Sequence, residues 1–347
     1  MFINMHNKKS LKFVLFGHGY SICYFTKLLI DNGFNKPVIV THPKKDHERD
    51  MRLLKHDNRL YEDVFDIANN LKIPILETKS ANDKSVLKFI RLHGCNAGFS
   101  FSCRSILKKE IINCLSGKIF NIHPSFLPKE RGGGTFSWRI LQDNKNIAGT
   151  IHLLTEGIDK GAIIIQKEKK LNMVRPKPLD FLIETNILFN KLLYDFLICI
   201  SKNKPLKTIE QNNINSSYLP RLYSEVNGAI NWNLKGKEIE RFIRAFSEPY
   251  SGAFTYVGKK KIYIYDAKFI NTKIKNHPFM SGRIINISKN YGAKILIKDG
   301  ILIVKSFRYR NRIFNASEFL SAIDVFCTPV NLLYKSSVSV VNVSKMK

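Results

Sequence analysis

Acidic residues are scarce in this chain of 347 residues, where 28 Asp and Glu stand against 56 Lys and Arg for a formal charge of +28. The excess suggests a nucleic-acid partner, because Lys and Arg release counterions from phosphates. Lys predominates among the basic residues, however, and a general drift towards Lys, Asn and Ile produces the same excess without any binding site. Charge alone therefore leaves nucleic-acid binding open.

Paired cysteines and long apolar runs are also missing. The six cysteines are scattered and form no C-x-x-C pair, which argues against a zinc ribbon, a redox motif or a disulfide framework and fits a reducing cytosol. The apolar stretch 11–16 is too short for a signal peptide, and no later run approaches the roughly 18 residues of a membrane span. We therefore expect a soluble, cytoplasmic protein with no metal site and no membrane contact.

The glycine-rich turn near the N-terminus lacks one of the residues of a dinucleotide fingerprint. Gly17 and Gly19 are followed by Ile22 where the third glycine would stand, and the second strand ends in Thr41-His42 rather than an acidic residue. A nicotinamide-binding domain is therefore not expected. A tight turn between a strand and a helix explains the glycines.

Two regions with different hydrophobic periods follow one another. From residue 12 to residue 202, short apolar segments alternate with helical patterns, which predicts an α/β fold with a Rossmann-like, mostly parallel sheet and helices on both faces. Beyond Pro220, alternating segments predict short strands of a small β-barrel, OB-like in type. The predicted organisation is a polar tail (1–10), an α/β domain (11–202), a linker (203–220), a C-terminal barrel domain (221–327) and a second tail (328–347).

Candidate catalytic side chains stand where a predicted strand, 118–122, runs out into a loop. Asn121 and His123 are two residues apart, so both point to the same side of the strand. Asp159 lies between glycines after a later strand and can approach His123. An amide that donates to an oxyanion, an imidazole that moves a proton and a carboxylate that orients the imidazole form a catalytic group. Taken singly, each residue is more often part of an ordinary turn, and it is the joint spacing with the Pro-Ser-x-x-Pro and Arg-Gly elements that favours a catalytic group.

The wider motif resembles a known family. Asn121-x-His123-Pro-Ser-x-Leu-Pro-x-x-Arg-Gly132, followed by Glu156-Gly-Ile-Asp159-x-Gly161, is similar to the signature of the 10-formyltetrahydrofolate-dependent formyltransferases. The resemblance extends over roughly residues 11 to 325 and includes the start of the family's C-terminal barrel domain. It implies a catalytic role for Asn121, His123 and Asp159, and 10-formyltetrahydrofolate as co-substrate without a metal.

The resemblance also implies which residues surround the reactants. The residues expected to bind the formyl donor are Phe101, Ser102, Arg104, Ser125, Leu127, Pro128, Gly157 and Ile158. Those expected to bind the acceptor are Arg131, Gly132 and Trp138.

The acceptor amine is the open question. The segments 41–49 and 131–138 depart from the pattern of methionyl-tRNA formyltransferases, whereas 99–104 resembles enzymes that act on UDP-4-amino-4-deoxy-L-arabinose. A nucleotide-linked amino sugar is therefore favoured. Basic runs at 259–261 and 305–312, interleaved with Phe307 and Tyr309, keep initiator methionyl-tRNA as the alternative. A formyltetrahydrofolate hydrolase and a catalytically silent RNA-binding homologue are more remote alternatives.

Overall fold

The structure, a computed structural model, describes residues 2, 3, 5, 8–54, 57, 59–202, 205–273 and 275–338. Parts of the two predicted tails and the start of the predicted linker lie outside the described residues. The helices are α1 (Tyr20–Asp31), α2 (Glu48–Leu54), α3 (Val64–Asn70), α4 (Lys84–Leu92), α5 (Lys109–Cys114), α6 (Thr135–Leu141), α7 (Pro178–Ser201), α8 (Ser224–Asn227), α9 (Gly236–Ala245), α10 (Ala316–Phe319) and α11 (Val330–Val338).

The strands of the N-terminal half are β1 (Phe2–Ile3), β2 (Phe13–Gly17), β3 (Val38–Thr41), β4 (Ile75–Glu77), β5 (Ala97–Phe101), β6 (Ile119–His123), β7 (Arg131–Gly132), β8 (Asn146–Leu153), β9 (Ile163–Lys170), β10 (Leu206–Lys207) and β11 (Tyr218–Leu219). The remaining strands are β12 (Ala253–Val257), β13 (Lys260–Ile264), β14 (Lys268–Asn271), β15 (Ile284–Ser288), β16 (Gly292–Ile297), β17 (Gly300–Val304), β18 (Ser306–Tyr309), β19 (Arg312–Asn315) and β20 (Phe326–Cys327).

The chain divides into two compact units. The first comprises 1–132, 146–171 and 182–218, and the second comprises 133–145, 172–181 and 219–347. This division follows contacts rather than chain order, since two short segments of the N-terminal half belong to the second unit. The domain boundaries expected from the sequence stay a prediction.

A seven-stranded sheet in the order β4-β3-β2-β5-β6-β8-β9 organises the first unit. Strands β4 to β6 in this order pair in parallel, and β8 pairs antiparallel with both β6 and β9. Every residue of β2 and β5 is buried, as parallel strands covered on both faces require. Because the strand order reverses between β2 and β5, their carboxyl ends border the crevice where such sheets bind ligands.

Aromatic side chains hold this sheet against its helices. Phe99 stacks on Phe101 with ring centroids 4.5 Å apart, and Phe196 of α7 meets Phe120 at 4.8 Å. Phe25 of α1 contacts Phe99 at 5.0 Å. All five rings are essentially inaccessible to solvent. Truncating any of them to Ala would cost roughly 3–5 kcal/mol, so the strands that end at the crevice are firmly held.

The second unit contains two antiparallel sheets, β19-β18-β13-β12-β20 and β14-β17-β16-β15. Its core includes Trp232, whose Nε1 donates to Thr255 Oγ1 at 2.9 Å, and the apolar face of α9 with Ile239 and Ile243. The predicted fold class is confirmed: an α/β sheet dominated by parallel strands, followed by antiparallel strands. Among the described residues, no helix is both apolar enough and long enough to cross a membrane.

Candidate active site

The candidate site forms where β6 runs out of the sheet. Asn121 and His123 both lie on β6, and the antiparallel β8 places His152 opposite Asn121 and Thr150 opposite His123. Cross-strand partners share a face of the sheet, so β8 adds its own side chains to those of β6. The predicted pair of residues on β6 thus acquires a second strand of neighbours.

The carboxylate is supplied by the loop that joins β8 to β9. Asp159 adopts a left-handed conformation with φ of 51°, which Asp tolerates better than most residues. A Cβ on Gly161 would lie 1.8 Å from the carbonyl oxygen of Leu153, so only glycine lets the loop pass this close to the strand. Gly132 has a φ of 99°, and its N–H donates to Asp159 Oδ2 at 2.9 Å.

His123 lies between two acceptors. Its Nδ1 is 3.4 Å from Asp159 Oδ2, and its Nε2 is 2.9 Å from the carbonyl oxygen of Glu130. The ring is 5% exposed. Because a carboxylate and a carbonyl only accept hydrogen bonds, each ring nitrogen faces a group to which it can donate when it carries a proton. The structure therefore brings the imidazole and the carboxylate together, as the spacing of the motif suggested.

Asp159 is held in its ionised form. Burial by itself raises the pKa of this carboxyl. The charge of His123, the neighbouring His152 and a hydrogen bond from the Gly132 N–H outweigh burial, and the pKa falls to about 2. Asp159 is therefore a carboxylate at neutral pH.

His152 is a member of the site that the sequence analysis missed. It is 2% exposed, and its Nε2 lies 3.1 Å from Asn121 Nδ2 and 3.5 Å from Asp159 Oδ1. It therefore links the amide of the candidate group to the carboxylate. Its position seven residues before Asp159 carries no local signal, because it depends on the antiparallel direction of β8.

The loop after β6 is fixed mainly through its backbone. Thr150 Oγ1 donates to the carbonyl oxygen of Ser125 at 2.6 Å, and Gln166 Nε2 donates to that of Leu127 at 2.7 Å. Ser125 and Leu127 are buried, and the peptide bond between Leu127 and Pro128 is cis. The three predicted donor-binding residues of this loop thus lie beside His123. The side chains of Ser125 and Leu127 support the loop from within rather than line a surface.

A cavity of about 580 Å³ opens next to the Asp159 loop. Its lining comprises Arg131, Gly157, Ile158, Lys160, Asn213, Ser216, Ser217 and Tyr218. Gly157 and Ile158, predicted to bind the donor, and Arg131, predicted to bind the acceptor, therefore border one space. Asn213, Ser216, Ser217 and Tyr218 come from the segment that the sequence analysis expected to be a linker.

Arg131 is buried and bound by amides. Its guanidinium donates to Gln211 Oε1 at 2.7 and 3.1 Å and to Asn213 Oδ1 at 3.1 Å. Gln211 Nε2 in turn donates to the carbonyl oxygens of Asp159 and Gly161. The polar segment after β10 thus ties Arg131 to the Asp159 loop, a contact that its composition did not indicate.

Three further predicted residues occupy the end of β5. Phe101 is 1% exposed, so any contact with the donor is restricted to its backbone. Ser102 is exposed with a φ of 49°, and Arg104 is exposed with its guanidinium donating to the carbonyl oxygen of Asp46 at 2.6 Å. These residues border the crevice at the reversal of strand order.

A histidine cluster, formed by His18, His42 and His47, lies beside Arg104 at the ends of β2 and β3. The ring centroids of His18 and His47 are 5.0 Å apart, and the backbone N–H of Arg104 donates to His42 Nε2 at 2.8 Å. Burial first, then the neighbouring His18 and Arg104, lower the pKa of His42 to about 4. His42 is therefore a neutral acceptor at physiological pH.

Trp138 belongs to the second compact unit. Its Nε1 donates to the carbonyl oxygen of Pro220 at 2.8 Å within that unit. Its predicted contact with the acceptor stays a prediction. Among the described residues, no group of three or more His, Cys, Asp and Glu side chains could hold a metal ion.

An amide, an imidazole and a carboxylate meet at the carboxyl edge of a Rossmann-like sheet, and together they suit proton transfer and the stabilisation of an oxyanion. Two family models match the chain: "Formyl transferase" over residues 11–173 and "Formyl transferase, C-terminal domain" over 224–323. The chain belongs to the formyl transferase family, whose members are folate-dependent transferases.

Two curated relatives and one solved structure illustrate the similarity. The bifunctional polymyxin resistance protein ArnA of Wigglesworthia glossinidia brevipalpis is 29% identical over 279 residues, which are 70% of this chain but only 40% of that protein. The methionyl-tRNA formyltransferase of Clostridium tetani is 26% identical over 260 residues, covering 72% of this chain and 78% of the relative. An N-formyltransferase of Helicobacter canadensis, solved with folinic acid and dTDP-3-aminofucose, matches with a TM-score of 0.62 at 21% identity, covering 86% of this chain and all of that one. This last likeness shows a shared fold.

Proposed function

We propose that the protein transfers a formyl group from 10-formyltetrahydrofolate to a primary amine. The observation that carries this proposal is the contact of His123 with Asp159 beside Asn121, at the edge of the sheet where ligands bind. An amide donor, a proton carrier and a fixed carboxylate are the groups that an acyl transfer to an amine needs. The amine is itself the nucleophile, so no serine or cysteine is required.

Each member of the group has a distinct task. Asn121 donates to the oxygen of the formyl group as that oxygen becomes negative. His123 takes the proton that the amine loses as the new N–C bond forms, and delivers a proton to N10 of the folate as the old N–C bond breaks. Asp159 stabilises the imidazolium form of His123 and fixes the orientation of its ring.

The contact with Glu130 adds a condition to this cycle. When the neutral ring carries its proton on Nδ1, facing Asp159, Nε2 accepts the amine proton once the amine stands in place of the Glu130 carbonyl oxygen. Glu130 has a φ of 58°, and its N–H donates to Ser217 Oγ at 2.8 Å, so the carbonyl is held in place. The acceptor amine must therefore replace this carbonyl as the partner of His123.

Apolar surface beside the site suits the ring system of the donor. Phe126 and Ile158, on the two loops that flank His123, are 41% and 40% exposed. Aromatic and aliphatic side chains of this kind bind flat heterocycles, and polar backbone groups on the same loops set their orientation. The loops 125–128 and 156–161 therefore form the proposed donor site, with Phe101, Ser102 and Arg104 at its border.

The acceptor favoured here is a nucleotide-linked amino sugar. The solved relative from Helicobacter canadensis carries such a compound, dTDP-3-aminofucose. Arg131, Gly132 and Trp138 are the residues proposed to contact it. Initiator methionyl-tRNA is the second candidate, supported by the relative from Clostridium tetani.

A competition assay separates the two acceptors. The purified full-length chain is incubated with 10-formyltetrahydrofolate and equal concentrations of a dTDP- or UDP-linked amino sugar and charged initiator tRNA. We expect the formylated sugar to accumulate in this mixture. In a control without acceptors, we expect no release of formate. Formylation of the tRNA alone would assign the second candidate. Formate release without an acceptor would indicate a hydrolase instead.

A further inference from the structure

His152 is placed to control the amide of Asn121. The two residues are register partners on β8 and β6, and their side chains meet with Asn121 Nδ2 3.1 Å from His152 Nε2. The imidazole is 2% exposed, so water does not compete for this contact. His152 thus contacts Asn121 and Asp159, the two residues through which it can act on the reaction.

The position of the proton on His152 follows from its other contact. His152 Nδ1 lies 2.7 Å from the carbonyl oxygen of Leu153. A carbonyl accepts and never donates, so Nδ1 carries a hydrogen. In the neutral ring Nε2 is then bare, and it must accept a hydrogen bond from its partner. The partner atom of Asn121 is therefore the nitrogen of the carboxamide and not its oxygen.

This polarity matters because a carboxamide can be turned end for end at little steric cost. An Asn121 that presented its oxygen to a developing oxyanion would repel it. We propose that His152 is a positioning residue: it accepts one N–H of Asn121 and so fixes the carboxamide with its second N–H available to the formyl oxygen. This inference rests on the oxyanion role that the proposed function gives to Asn121.

Asp159 offers the alternative route by which His152 could act. Its Oδ1 is 3.5 Å from His152 Nε2, farther than the Asn121 nitrogen. A hydrogen bond along this line would need a proton on Nε2, which would break the contact with Asn121. If His152 acts through Asn121, the effect of replacing it should depend on Asn121. If it acts through Asp159, the effect should depend on Asp159.

Two substitutions at residue 152 separate the ring nitrogens. His152→Gln keeps a polar atom near the position of Nε2, and His152→Asn keeps one near Nδ1 only. We expect His152→Asn to lower kcat by roughly ten- to a hundredfold, less than the 10²–10³ of removing an oxyanion donor, with KM nearly unchanged. His152→Gln should recover a large part of the loss. Equal losses in the two variants would overturn the inference.

A double-mutant cycle tests whether the effect passes through Asn121. In an Asn121→Ala background, His152→Asn should cause no further loss of kcat, because the group that it positions is gone. Full additivity with Asn121→Ala, or loss of the effect only in an Asp159→Asn background, would contradict the proposal. Ile151→Val, on the same strand but facing away from the site, controls for general weakening of β8. It should lower thermal stability without changing kcat.

A spectroscopic readout stands apart from activity. The ¹⁵N chemical shifts of the His152 ring in the full-length protein should show a protonated Nδ1 and a bare, hydrogen-bonded Nε2. A protonated Nε2 would overturn the inference even if the enzyme is active. Absence of formyl transfer with the expected tautomer would instead refute the proposed function.

Discussion

The carboxyl edge of the central sheet and the basic strands of the second unit use polar residues in opposite ways. At the sheet edge, Asn121, His123 and Asp159 are largely shielded from water and bound to one another or to backbone groups. On the basic strands, cations lie over aromatic rings, with Lys261 Nζ 3.9 Å from the Phe254 centroid and the Arg308 guanidinium 4.1 Å from that of Tyr263. At the sheet edge, a few polar side chains of little net charge are fixed by hydrogen bonds to one another. On the basic strands, many cations contact side chains of the same unit.

The difference bears on the meaning of the charge excess. Lys261 also binds Glu225 at 3.0 Å, and Arg308 Nε donates to Tyr265 Oη at 2.8 Å. Phe307, expected from the sequence to alternate with basic residues on an RNA-binding surface, is 1% exposed and packs on Phe319 at 5.1 Å. A buried ring cannot stack on a base, so that part of the expectation is wrong. Lys261 and Arg308, one from each basic run, therefore contact side chains of their own unit.

The largest effects should follow from the sheet edge. His123→Ala and Asp159→Asn should each fold and yet lower turnover by roughly 10²–10⁴-fold, because proton transfer and its electrostatic support are removed. Steady-state kinetics with circular dichroism of the purified variants gives the measurement. His93→Ala, at the end of α4, is the matched histidine control and should leave turnover unchanged. Normal turnover in either site variant would refute the catalytic assignment.

A substitution of Arg131 tests whether this residue binds the acceptor in the cavity or holds the segment after β10. Arg131→Lys keeps the charge but cannot reach both Gln211 and Asn213, so we expect the free energy of unfolding to fall by about 1–3 kcal/mol. Urea denaturation measures this change, and KM for the acceptor is measured alongside. A large rise in KM with unchanged stability would mean that Arg131 binds the acceptor directly rather than holding the segment after β10.

His42 provides a pH-dependent effect of intermediate size. Its pKa is about 4 in the folded state, against an ordinary value near 6.5, so between these values the unfolded chain binds more protons. Its contribution to stability is complete above pH 6.5 and is lost as the pH falls to 4, by about 1–3 kcal/mol. His42→Gln retains an acceptor without titrating, so the stability difference between wild type and variant should change across this window. A difference independent of pH would contradict the expectation.

The smallest effects should follow from the exposed cations of the second unit. Replacing Lys305, Arg310 and Arg312 with Gln should change stability by about 0.5 kcal/mol or less per site, as expected for exposed positions. Turnover with an amino-sugar nucleotide should stay within about twofold, since no phosphate of that acceptor is assigned to these side chains. A strong, salt-dependent loss would assign the acceptor site to this surface and break the contrast between the two regions.

Much of this contrast could be predicted from the sequence. The change of hydrophobic period beyond Pro220 predicted the change from a mostly parallel sheet to antiparallel strands, and the spacing of Asn121, His123 and Asp159 located the candidate catalytic group. The features that the sequence did not predict depend on the direction of a strand or on contacts between residues far apart in the chain. The antiparallel course of β8, which pairs His152 with Asn121, has no local signature, and the partners of Arg131 arrive from about 80 residues along the chain. Likewise, an alternating basic strand does not reveal which face is buried, as Phe307 shows.

Single-turnover transfer from isotope-labelled 10-formyltetrahydrofolate tests the central claim most directly. The wild-type protein, mixed with the labelled donor and a nucleotide-linked amino sugar, should move the label to the sugar nitrogen, while Asp159→Asn should leave it on the folate. Label that stays on the folate in the wild type with every amine acceptor, or that moves equally well with Asp159→Asn, would contradict formyl transfer at this site.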